Sequence, residues 1–340
     1  MPNLSATALS MLVGLLAGCL GGQAPPQLSA TFEPGVVRGA DRFVRRRVLL
    51  APDIGGVTDI AFRKPSPLET ESVIVAGTAG VVFLEPGDYG MRRLIRLNDG
   101  KPPFLTHRIL DADGDGGVEF FRQPRSTGDP ALYDGRGFLL WQGKSPGGFP
   151  WATFGDLDGD RKLEFLAGSS YKPAVRLYDH EGRIRFDQEW DRHMHWMRIE
   201  DQDGDHKGEF RYWTAGKAYR RDAKGGLISS EPMTDINERE KRFGKGELRF
   251  KPEAAGVVLA VRQRELAQQA LPAGYSATRL KIEILDPAGA VLYEEIVKSA
   301  HGDVARGHGA IAVVPIRDSS GEALLVGYGP EVYEYTLRSP

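Results

Sequence analysis

The 340-residue chain has one cysteine, Cys19. No internal disulfide can form, so the fold must rest on packing alone. Positive charge is not in excess: 44 Lys and Arg oppose 46 Asp and Glu, for a net charge of −2. That balance offers no electrostatic footprint for nucleic acid. The longest apolar run, Ala8–Leu20, is too short to span a bilayer as a helix. Signatures of zinc-protease and nucleotide chemistry are missing as well. The chain contains no H-E-x-x-H, Walker loop or G-x-G-x-x-G. His193 and His195 lie two apart and share a face if their segment is a strand, but no third ligand accompanies them. What the chain does have is glycine, 42 residues of it, as an all-β fold of many short strands and turns requires.

Three stretches repeat one pattern, D-x-D-G-D-x-x-x-E. They are Asp111-Ala-Asp-Gly-Asp-Gly-Gly-Val-Glu119, Asp156-Leu-Asp-Gly-Asp-Arg-Lys-Leu-Glu164 and Asp201-Gln-Asp-Gly-Asp-His-Lys-Gly-Glu209, spaced 45 residues apart each time. Carboxylates at positions 1, 3 and 5 of a tight loop converge, which suits a hard cation that takes oxygen ligands. The expected donors are Asp111, Asp113, Asp115 and Glu119; Asp156, Asp158, Asp160 and Glu164; and Asp201, Asp203, Asp205 and Glu209. The position-7 carbonyls of Gly117, Lys162 and Lys207 complete each set, giving up to three structural Ca²⁺ sites. These are not EF-hands, because position 12 is Arg122, Ala167 and Tyr212 rather than Glu. Aromatic and branched residues flank the loops, so each loop is expected to join two strands.

A 45-residue period with several strands per unit indicates a β-propeller with one blade per repeat. The Gly-His…Trp-Asp pattern of WD40 repeats is missing. The acidic loops instead resemble those of FG-GAP/VCBS-type repeats, the family that includes the integrin α-subunit propeller. They depart from it in having Glu at position 9 and Arg161 and His206 at position 6. The resemblance implies calcium that rigidifies blades, with partners engaging the opposite face of the disc. Residues placed on that face are Arg125, Tyr171, Lys172, Trp190, His193, Trp213 and Lys217.

A second repeated feature is the turn between third and fourth strands, at Tyr133-Asp-Gly-Arg-Gly, Tyr178-Asp-His-Glu-Gly, Arg221-Asp-Ala-Lys-Gly and Leu285-Asp-Pro-Ala-Gly. It extends the count to six blades of four strands, or seven if the long fifth unit hides two short ones. The sixth unit lacks a fourth strand, whereas residues 43–50 have no blade of their own. Closing the ring removes exposed edges, so 43–50 are expected to complete the last blade. The triplet Arg45–Arg47 reads as edge protection on that outer strand. Within the fifth unit, 262–271 consists of strong helix formers and is expected to be a helical insertion.

Residues 1–18 read as a signal peptide. Leu16-Ala17-Gly18-Cys19 matches the bacterial lipobox, which makes Cys19 the lipidated residue, with 19–42 as a tether and 43–340 as the propeller. Together these readings describe a lipid-anchored, monomeric propeller on the outer membrane or cell surface that binds an envelope protein or glycan. The anchor is its only expected membrane contact. A polysaccharide lyase-like enzyme and a structural subunit of an envelope complex are the alternatives.

Overall fold

A computed structural model describes residues 33–64, 70–97, 105–124, 128–146, 150–169, 172–190, 196–201, 204–214, 216–232, 248–252, 257–270, 276–299, 310–316 and 321–338. Two strands lead the chain, β1 (Glu33–Arg38) and β2 (Phe43–Leu50). Blade one holds β3 (Val57–Arg63), β4 (Ser72–Gly77), β5 (Gly80–Leu84) and β6 (Met91–Arg96). Blade two holds β7 (Leu105–Leu110), β8 (Glu119–Pro124), β9 (Ala131–Tyr133) and β10 (Leu139–Gln142). Blade three follows with β11 (Pro150–Gly155), β12 (Glu164–Ser169), β13 (Ala174–Tyr178) and β14 (Ile184–Glu189). Blade four has β15 (Trp196–Glu200), β16 (Glu209–Thr214), β17 (Lys217–Arg221) and β18 (Leu227–Pro232). Blade five has β19 (Leu248–Phe250), β20 (Leu259–Ala270), β21 (Ser276–Leu285) and β22 (Val291–Ser299). Blade six ends the fold with β23 (Ile311–Pro315), β24 (Glu322–Tyr328) and β25 (Glu331–Leu337).

Every blade is an antiparallel sheet, and together the six sheets make a six-bladed β-propeller. The fifth unit is one sheet, so the seven-blade alternative does not hold. Inner strands such as β4, β5 and β12 are buried along their whole length, because neighbouring blades cover both faces of each sheet. Alternate residues therefore face different blades. Val73 and Val75 pack toward blade six, whereas Ile74 and Ala76 pack toward Phe120 and Tyr133 of blade two. Phe121 in turn meets Phe165 of blade three at a ring separation of 4.6 Å. In blades two, three and four the Asp-x-x-Gly turns seat the blade against the one before, Gly137 on Ile95, Gly182 on Trp141 and Gly225 on Gln188. Gly182 has φ +81°, and a Cβ there would lie 2.5 Å from Cγ of Trp141, so glycine is required on both counts.

The ring closes as the sequence suggests. β2 pairs with β25 in the order β2-β25-β24-β23, from Phe43 opposite Leu337 to Leu50 opposite Glu331. Arg45, Arg46 and Arg47 pair with Glu295, Glu334 and Glu331 respectively.

Two expectations fail. Residues 262–270 are not helical but belong to β20, a twelve-residue strand paired with β21 as far as Ala270 opposite Ser276. Helix propensity amounts to tenths of a kcal/mol per residue, and the β21 ladder outweighs it. Part of the expected tether, Glu33–Arg38, forms β1 and adds a fifth strand to blade five by pairing with β22.

Candidate metal sites and recognition surface

The acidic loops connect first to second strands in blades two, three and four, and they share one local design. The first aspartate closes the loop by accepting two backbone N–H bonds. Asp111 takes those of Gly114 and Gly116 at 2.8 and 3.0 Å. Asp156 takes Gly159 and Arg161 at 2.7 and 2.9 Å, and Asp201 takes Gly204 and His206 at 2.8 and 3.0 Å. The ninth-position glutamate folds back onto the position-2 amide, Glu119 to Ala112 and Glu164 to Leu157, both at 2.8 Å. Position 6 is left-handed in every loop, at φ +85° for Gly116, +70° for Arg161 and +66° for His206. Only the first loop meets that bend with glycine.

Carboxylate oxygens of Asp111, Asp113 and Asp115 lie within 4.8 Å of one another, as do those of Asp156, Asp158 and Glu164. Such all-oxygen sets fit a hard divalent cation. Among the described residues, only backbone N–H groups donate to the first-loop carboxylates. Burial, then the neighbouring aspartates, push the Glu119 carboxyl up to about 7. The first loop therefore fits calcium on its donor chemistry and on its unbalanced charge.

The second loop differs. Arg185 of β14 donates through Nη1 to Asp158 Oδ2 and to Glu164 Oε1, each at 2.9 Å. Burial pushes the Glu164 carboxyl up to about 7, and the guanidinium pulls against it. In the third loop Arg220 of β17 pairs with Glu209. Asp203 lies outside the described residues, while Asp201 and Asp205 are exposed.

No protein-family model matches the chain, and no curated protein matches it. Solved structures do. The chain is similar to the WD40 domain of Pan2 from Neurospora crassa, at 9% identity and a TM-score of 0.47 over 87% of this chain and 95% of that one. It is similar to BBS1N as solved in complex with ARL6DN, at 9% identity and 0.48 over 89% and 97%. A third likeness is to the WD40 domain of SCAP from fission yeast, at 8% and 0.41 over 91% and 98%. None of these likenesses bears on activity or ligand.

A cleft of about 520 Å³ opens between the second and third loops, lined by Asp156, Gly159, Arg161, Ile199, Asp201 and His206. Asp156 and Asp201 there are already engaged by their own loops' amides.

The expected partner face divides. Lys172 and Lys217 are exposed at the loops opposite the acidic ones. Trp190 is not available: it is buried, stacked 5.0 Å from Tyr212, with the Arg221 guanidinium 4.8 Å over its ring. Its apolar bulk serves packing between blades three and four. Trp213 lies on β16 opposite Trp196 and Ala218. Arg125, Tyr171 and His193 lie outside the described residues, as does His195.

Sequence reasoning missed the rim. Phe138, Leu139, Leu140, Ile184, Leu227 and Ile228 are each at least half exposed on the outer strands of blades two, three and four or at their starts. Leu139, Ile184 and Leu227 each stand two residues after the turn glycine, so aligning the turns would have exposed the row. The outer strands β6 and β2 instead mix charge with exposed apolar residues, Arg92, Arg93 and Arg96 beside Met91 on β6 and the Arg45–Arg47 triplet between Val44 and Leu50 on β2.

Proposed function

We propose that the chain is a calcium-stabilised propeller that binds a protein partner in the bacterial envelope, anchored there through a lipid on Cys19. The observation that carries the binding reading is the apolar row on the rim of blades two to four. Aliphatic and aromatic side chains left in water at neighbouring sheet edges mark a protein contact, whereas β6 and β2 intersperse their exposed apolar residues with arginines. Aliphatic side chains favour a protein over a glycan, which would call for stacking aromatics and polar groups. Calcium enters through the first loop, where the FG-GAP/VCBS-type pattern and the oxygen cluster agree. It would be held by Asp111, Asp113, Asp115 and Glu119, stiffening the connection between β7 and β8. Lys172 and Lys217 keep the opposite face open to a polar contact.

Photo-crosslinking in intact cells tests the reading, with the reactive residue placed at Leu139 or Leu227, and at Lys172 or Lys217 for comparison. A discrete protein adduct is expected from the rim positions, lost on Ile184→Glu. Adducts from the lysine positions alone would move recognition to the opposite face. No adduct from any position, together with turnover of an acidic polysaccharide by purified protein, would overturn binding as the role. Cys19→Ala should release the protein from membranes, and continued membrane partitioning would contradict the anchor.

A further inference from the structure

We propose that Arg185 is a built-in counter-ion that takes the place of calcium in the second acidic loop. This inference rests on the calcium reading of the loops and narrows it, because three similar sequences then do not make three equivalent metal sites.

Placement is the first argument. One nitrogen of Arg185 lies 2.9 Å from both Asp158 Oδ2 and Glu164 Oε1, which belong to two of the three residues whose oxygens cluster in this loop. A cation entering the cluster meets a positive group already bonded to its ligands. To bind, it must break two charge-assisted hydrogen bonds and then sit beside the displaced guanidinium.

Register is the second. Arg185 stands three residues after the turn glycine Gly182. Leu140 and Ile228 stand at the same place after Gly137 and Gly225 in the flanking blades. Among the three blades with acidic loops, only blade three offers a cation there.

Charge is the third. The first loop carries four carboxylates and no basic residue, a formal −4. The second carries four carboxylates against Arg161, Lys162 and Arg185, which leaves −1. Glu164 is only 2% exposed as a side chain, and a buried carboxylate demands a partner. In the second loop the chain supplies that partner, whereas in the first it must come from solution. The two loops also touch, since Leu163 N–H donates to the Ala112 carbonyl at 2.8 Å. A metal-independent second loop thus forms a preset wall beside the first.

The test is calorimetric titration of chelated full-length protein with calcium chloride, comparing wild type, Asp113→Ala, Asp158→Ala and Arg185→Leu. Asp158→Ala should bind as many calcium ions per chain as wild type, and Arg185→Leu one more. Loss of one calcium in Asp158→Ala, or unchanged stoichiometry in folded Arg185→Leu, would overturn the proposal. Should Arg185→Leu unfold in chelator, recovery of its circular dichroism on adding calcium supports the proposal, and failure to recover counts against it. Asp113→Ala reports separately on the first loop. If wild type and Asp113→Ala both bind no calcium while Arg185→Leu gains a site, the first-loop reading falls and the role of Arg185 stands.

Discussion

The closing strand is held by an ion pair whose loss can be sized from the structure. Glu295 on β22 is fully buried, with a relative exposure of 0%. It accepts hydrogen bonds from the Tyr293 and Tyr335 hydroxyls at 2.8 and 2.7 Å and pairs with Arg45 on β2. Blade five, blade six and the N-terminal strand thus meet at one carboxylate. Removing one partner of a buried pair costs about 3–5 kcal/mol. The Arg45 side chain is 26% exposed, so water can replace part of its charge. Arg45→Met should therefore cost about 2–3 kcal/mol. Glu295→Gln keeps an acceptor for the tyrosines and should cost less, with a coupling of about 1–2 kcal/mol in the double-mutant cycle. Arg47→Met is the control, because the Arg47–Glu331 pair is exposed and should be worth under about 0.5 kcal/mol. Urea unfolding of the set measures all of these. If Arg45→Met behaves like Arg47→Met and the cycle shows no coupling, the strand is held by its backbone ladder alone.

Three further outcomes are expected. His107 is fully buried with Nδ1 bonded to the Gly77 carbonyl, and burial depresses it to about 4 from 6.5; stability present above pH 6.5 should fall by up to about 3 kcal/mol as pH drops toward 4. Thermal melts of His107→Gln should be flatter over that range, and a parallel decline would refute the assignment. Glu119 is shifted the other way, to about 7 from 4.5, so chelated protein should lose stability as pH rises from 4.5 through 7, by about 1–2 kcal/mol since solvent screens this partly exposed carboxyl. Calcium should then raise Tm more at pH 8 than at pH 5, and the reverse order would contradict its placement. Arg161 is left-handed without being glycine, so Arg161→Gly should stabilise by about 0.5–1 kcal/mol while Gly116→Ala destabilises by a similar amount; opposite signs in urea titrations would show that the bend is not strained.

Local chemistry carried much of the architecture. The spacing of Asp111, Asp156 and Asp201 marked the blades, and the Asp-x-x-Gly turns set their count. The unpaired segment 43–50 located the closure, because an incomplete last sheet needs a strand. What stayed hidden depends on contacts between distant strands. Arg185 reaches its carboxylates across a sheet from β14, and Arg220 does so from β17, so no spacing within the loops reveals either. Trp190 looks like a surface anchor after an exposed strand, yet Tyr212 and Arg221 of the next blade bury it. In 262–270 the residues favour helix one at a time, and only the ladder to β21 makes them a strand.

Hydrogen exchange by mass spectrometry, on chelated and calcium-loaded protein, addresses the account most directly. Calcium should slow exchange at Asp111–Glu119 and in the flanking β7 and β8, with little change at Asp156–Glu164, where Arg185 already holds the loop. Unchanged exchange at Asp111–Glu119 in saturating calcium would contradict the account.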